Sequence, residues 1–78
     1  MTSILKWDAS PIQIYITHPS GADVPWRVSE DGEEGELYRA ADAAVQAAYE
    51  RARALEEMGF DVQVRQENSD GTWLLLRE

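Results

Sequence analysis

Ile12, Ile14 and Ile16 alternate with Gln13, Tyr15 and Thr17, a period of two that predicts a half-buried strand over residues 11–17. The turn formers of residues 18–23 (His-Pro-Ser-Gly-Ala-Asp) end it, and a second alternation of Val24, Trp26 and Val28 predicts a partner strand, so the two form a hairpin. Residues 29–36 contain no apolar side chain and two glycines, which predicts a solvated acidic loop.

From about residue 39 to 58 the chain is rich in alanine, has no Gly or Pro, and predicts a helix. Ala41, Ala44, Val45, Ala48, Ala52 and Leu55 fall on one stripe, with Asp42, Gln46, Glu50, Arg53 and Glu57 opposite. A stripe of alanines lets the helix axis approach a sheet closely, leaving Ile, Val and Trp of the strands to fill the space. Gly59 stands where a left-handed residue ends a helix, and Phe60 follows to fold back on the last turn.

Val62 and Val64 alternate with Gln63 and Arg65, Asn68-Ser69-Asp70-Gly71 is a turn signal, and residues 72–77 form an apolar last strand. The fold class is therefore α+β, a four-stranded sheet of two antiparallel hairpins with one helix packed on one face, in the order ββαββ. The whole chain, residues 1–78, is expected to form one domain.

In the final strand Trp73 and Leu75 are expected to face the helix. Leu74 and Leu76 then point the other way, joining Tyr15, Arg27 and Arg65 on a mixed aromatic, aliphatic and arginine face. That is the composition of an interface core. It is open to two occupants: the N-terminal Ile4-Leu5-Lys6-Trp7 segment of residues 1–10 folded across it, or a partner, including a second copy of the chain.

Trp26-Arg27-Val28, the Ala-rich helix and Asp70-Gly71-Thr72-Trp73 ahead of a last strand resemble a family of very small bacterial ββαββ domains of uncharacterised function. The resemblance spans about residues 24–76. It implies the fold and assigns no functional residue. The acidic residues 30–36 and the segment before Pro11 depart from the family pattern.

Composition narrows the chemistry. The absence of cysteine excludes disulfides, thiolate metal sites and a Cys nucleophile. A formal charge of −8 opposes contact with phosphate backbones and anionic membranes, and favours a basic protein partner. Lys6 and Asp8 interrupt the apolar start of the chain before it could serve as a signal peptide, so a cytoplasmic location is expected.

The carboxylates of Glu30, Asp31, Glu33, Glu34 and Glu36 invite a calcium-loop reading, but lack the alternating ligands and terminal bidentate Glu of that motif. They suit instead a phosphate-mimicking contact with a basic partner. Gly32 and Gly35 stand among these acids, where a phosphate would be repelled. His18 is the only histidine, so no metal or cofactor is expected.

The function expected is a non-enzymatic, acidic protein-interaction module. Analogy of size and charge extends it to a phage- or mobile-element-encoded inhibitor of a host nucleic-acid-binding complex, of the anti-CRISPR kind. The alternatives are a small metal-dependent enzyme around His18 and nearby acids, and a single-stranded nucleic-acid binder acting through the sheet face.

Overall fold

A computed structural model describes residues 11–77 except Gly32. Among the described residues the elements run β1 (Ile12–Thr17), β2 (Trp26–Glu30), β3 (Glu36–Tyr38), α1 (Ala41–Glu57), β4 (Val62–Glu67) and β5 (Trp73–Arg77). The fold is α+β, with one helix against a five-stranded mixed sheet of order β3-β2-β1-β4-β5.

The expected four strands become five because Glu36-Leu37-Tyr38 pairs antiparallel with Trp26, Arg27 and Val28. Both predicted hairpins form, and the chain joins them through the helix by laying β4 parallel to β1, with Ile14 opposite Val64. A parallel pair requires a long crossover, which α1 supplies.

The core lies between α1 and the centre of the sheet. Ile14, Ile16, Val62 and Val64 meet Ala44, Ala48, Ala52 and Leu55, all buried. The helical stripe is thus as the periodicity predicts, and Asp42, Gln46, Glu50, Arg53 and Glu57 are exposed. Burying apolar side chains contributes roughly 1.5–3 kcal/mol for each Ile, Val or Leu, and the alanines contribute mainly by admitting the larger strand side chains.

Helix α1 begins without a side-chain cap at Ala40, although Asp42 in its first turn complements the helix dipole and accepts a hydrogen bond from the Ala43 N–H at 2.9 Å. It ends at Gly59, whose φ of +96° is left-handed, and the N–H groups of Gly59 and Phe60 donate to the carbonyls of Glu56 and Leu55. These two bonds form a Schellman motif. Phe60 is nevertheless about half exposed.

The β4–β5 connection is set by its turn. Gly71 N–H donates to the Asn68 carbonyl, Asn68 N–H donates to the Thr72 carbonyl, and Gly71 has a φ of +89°. This three-residue loop fixes the register, with Glu67 opposite Trp73 and Arg65 opposite Leu75.

That register reverses the expected faces of β5. Trp73 and Leu75 lie on the face away from the helix, whereas Leu74 pairs with Gln66 on the helix side and Leu76 packs against the core. A register irregularity at Val64/Arg65 turns the end of β5, and Arg77 pairs with Glu56 of α1.

Candidate interaction surface

Partners across a sheet share a face, so the register builds the helix-distal surface residue by residue. Tyr15 of β1 stands beside Arg65 of β4. Arg65 in turn stands beside Leu75, and Arg27 of β2 lies between Thr17 and Leu37. Tyr15, Arg27 and Arg65 are therefore on the expected face. Leu74 and Leu76 are not, and their places are taken by Trp73 and Leu75, with Leu37 added on β3.

The face is organised by polar contacts at its centre. Gln13 Nε2 donates to Gln63 Oε1 at 2.9 Å, and Arg65 donates through Nε to Gln13 Oε1 at 3.1 Å and through Nη2 to Gln63 Oε1 at 3.2 Å. These hold the guanidinium against two neutral amides. Arg27 Nη1 donates to the Glu34 backbone carbonyl at 2.7 Å. Among the described residues neither Arg27 nor Arg65 forms a salt bridge, so both keep their charge on this face.

Aromatic and aliphatic side chains complete it. The rings of Tyr15 and Trp73 meet edge to face, while Leu37 is 55% exposed, Trp73 43% and Leu75 38%. Two arginines, two aromatic rings and two leucines thus lie on one open face of a strongly acidic chain. The chain matches no protein-family model, no curated protein and no solved structure. The expected cover by residues 1–10 lies outside the described residues.

The acidic run is shorter as a loop than its composition predicts, because both ends belong to strands. Glu30 closes β2 and pairs with Arg51 of α1, and Glu36 opens β3. The hydrogen bond from Arg51 to Glu30 holds the guanidinium pKa above its ordinary value. Asp31 accepts from the Gln13 N–H at 3.2 Å, and Glu33 N–H donates to the Glu30 carbonyl at 3.0 Å. Polar contacts tie down a segment with no apolar anchor.

Gly35 makes the connection possible. Its φ is +81°, and a Cβ placed there would stand 2.1 Å from the Val28 carbonyl oxygen. Only glycine fits so close a return of the chain.

His18 packs edge to face on Trp26, and its Nδ1 lies 2.7 Å from the Pro19 carbonyl oxygen, so this nitrogen carries the proton. Glu67 accepts a hydrogen bond from the His18 backbone N–H at 3.0 Å. Among the described residues no group of three or more His, Asp or Glu side chains is arranged to hold a metal ion, and no helix is long and apolar enough to cross a membrane.

Leu37, Trp73 and Leu75 escape a reading of the sequence for different reasons. Leu37 sits alone between Glu36 and Tyr38, with too few residues to display alternation. Trp73 and Leu75 belong to an unbroken apolar run, which has no phase of its own. Their signal lies in Asn68-Ser69-Asp70-Gly71-Thr72, whose three-residue turn fixes what stands opposite Arg65.

Proposed function

We propose that the chain is a non-enzymatic protein-interaction module whose contact surface is the helix-distal face of the sheet. The observation that carries this is the gathering of Tyr15, Trp73, Leu37 and Leu75 with Arg27 and Arg65 on that face. Aromatic residues and arginine are enriched at the centres of protein interfaces, and acids are depleted there. The face has that composition at its centre, with the acid Glu67 at its edge opposite Trp73, although the chain as a whole carries −8.

Charge divides the surface into two parts. The carboxylates of Asp31, Glu33, Glu34 and Glu36 flank the β2–β3 connection, and Asp42, Glu50 and Glu57 line the exposed side of α1. A basic partner is suited to the carboxylates of the β2–β3 connection, while the sheet face takes an apolar patch bordered by acceptors; the acids of α1 lie on the opposite side of the molecule. An inhibitor that occupies a nucleic-acid-binding complex fits this division and is the narrower form of the proposal.

Arg65→Glu tests it. Reversing this charge leaves the core untouched and places a carboxylate between Tyr15 and Leu75. Partner capture from host lysate should be lost with Arg65→Glu and retained with Glu33→Gln/Glu34→Gln if the face is the contact. Retention by Arg65→Glu would sink the proposal, and loss in both would extend the contact from the face to the carboxylates of the β2–β3 connection.

The same rings and guanidinium groups favour a second reading, in which single-stranded bases stack on Tyr15 and Trp73. Binding of a labelled oligonucleotide that weakens steeply with salt and is lost with Trp73→Ala would select it.

A further inference from the structure

We infer that Arg65 is a preformed receptor for one carboxylate, which a protein partner presents beside an apolar side chain. This rests on the sheet-face reading and names the chemistry that the face recognises. Gln13 and Gln63 stand opposite each other on β1 and β4, and Arg65 follows Gln63 on the same face of β4. Their side chains form one network. Gln13 Nε2 donates to Gln63 Oε1, while Arg65 Nε donates to Gln13 Oε1 and Arg65 Nη2 to Gln63 Oε1.

This network holds more donors than acceptors. Both amide oxygens are engaged, that of Gln63 twice, and they occupy one edge of the guanidinium, Nε with Nη2. The other edge, Nη1 with the second hydrogen of Nη2, has no partner among the described residues. That edge is a planar fork of N–H donors, which a carboxylate meets with its two oxygens. Because two amides clamp the opposite edge, the fork is fixed before a ligand arrives and less freedom is lost on binding.

The chain directs its own acids elsewhere. Beside α1, Arg51 pairs with Glu30 and Arg77 with Glu56, whereas Arg65 is given two neutral amides in a chain of fifteen acids. Glu67 comes next on the same face of β4, but its Oε1 accepts from the His18 backbone N–H at 3.0 Å. Tyr15 and Leu75 flank Arg65 on the neighbouring strands, and Trp73 spans that row by meeting Tyr15 edge to face. Apolar walls of this kind lower the local dielectric and strengthen a charged hydrogen bond formed between them.

Net charge selects among the oxyanions that fit such a fork. A formal charge of −8 opposes every negative charge a ligand brings, and opposes most a polyanion such as a nucleic-acid strand, with a phosphate on each nucleotide. One carboxylate on an otherwise neutral or basic protein surface meets the least of this repulsion, and acids more than about 8 Å away are screened at physiological salt. The exposed side chains of Trp73 and Leu75 beside the fork receive an apolar neighbour of that carboxylate. A basic surface with one embedded acid thus suits both this site and the carboxylates of the β2–β3 connection.

The test uses phenylacetate as the probe, phenylacetamide as its uncharged counterpart and phenyl phosphate as its phosphate counterpart. In nitrogen–proton correlation spectra of the full chain, the Arg65 Nε–H signal should shift and saturate with millimolar phenylacetate. Phenylacetamide should bind at least about tenfold more weakly, and phenyl phosphate no more tightly. Arg65→Lys keeps the charge and loses the fork, so phenylacetate binding, read at the Trp73 indole N–H, should weaken at least about tenfold. Gln63→Glu neutralises Arg65 from within the chain. It should abolish phenylacetate binding without lowering the melting temperature, an effect that a merely structural glutamine would not produce. No saturable shift, equal binding of phenylacetate and phenylacetamide, or tighter binding of phenyl phosphate would overturn the inference, the last in favour of a nucleic-acid strand. If the amide binds equally while Arg65→Glu loses partner capture, the sheet face stands and the carboxylate falls. If phenylacetate binds as expected while Arg65→Glu retains capture, the sheet-face reading falls and the carboxylate site stands without that partner.

Discussion

Tyr15 and Trp73 meet edge to face with ring centroids 5.6 Å apart, although β4 separates their strands in the sheet. The pair reaches across the row that holds Arg65 and ties the outermost strand to the central one. Aromatic pairs of this geometry contribute about 0.5–1.5 kcal/mol beyond the area they bury. A double-mutant cycle with Tyr15→Leu and Trp73→Leu should recover a coupling of that size in urea denaturation. Strict additivity would show that the rings touch without stabilising each other.

Ala48 is fully buried between α1 and the sheet, within the cluster of Ile14, Ile16, Val62 and Val64. Ala48→Leu adds volume where the helix has approached as closely as an alanine allows. A loss of about 1–3 kcal/mol is expected from overpacking, read from the denaturation midpoint and slope. Ala43→Leu, on the exposed side of the same helix, should stay within about 0.5 kcal/mol of the unmodified chain.

Gly35 and Gly59 both have positive φ, but they differ in surroundings. A Cβ at Gly35 collides with the Val28 carbonyl, whereas one at Gly59 meets nothing within 4 Å. Gly59→Ala should therefore cost roughly 1 kcal/mol, the conformational term alone. Gly35→Ala should cost more and detach β3, visible as loss of amide protection at Leu37. Equal effects of the two changes would show that the β2–β3 connection yields easily.

Asp70 accepts hydrogen bonds from the Thr72 hydroxyl at 2.6 Å and the Thr72 N–H at 3.0 Å, which lower its pKa below the ordinary aspartate range. The hydroxyl bond is the larger cause. A depressed folded-state pKa stabilises the turn above the unfolded-state value, and that contribution is lost as pH falls through the folded value. Thr72→Val should move the Asp70 carboxyl titration upward in an NMR pH series and flatten the acid limb of the stability curve. An unmoved titration would assign the lowering to the backbone alone.

Much of the fold was legible because its signals are local. The alanine stripe of α1, the Gly59 stop and the alternation of Ile12, Ile14 and Ile16 each follow from one element's own periodicity. The face of β5 was not legible, since Trp73-Leu74-Leu75-Leu76 is apolar at every position and either phase looks equally buried. Strand β3 was missed because three residues after an acidic run carry no period. The parallel pairing of β1 with β4 depends on where the crossover lands, which is a property of the assembled layers.

That pairing also imposes an order of events on the growing chain. Ile14 finds its partner Val64 only after fifty further residues have been made, so the strand at the centre of the sheet is made before β4 and enclosed only after it. Until β4 arrives, the hairpin of β1 and β2 exposes the flank that will become the middle of the sheet. Closing so distant a contact is slow compared with forming helix α1 alone. Shortening the chain anywhere before Val62 should leave that inner flank, rather than an outer one, open to strangers.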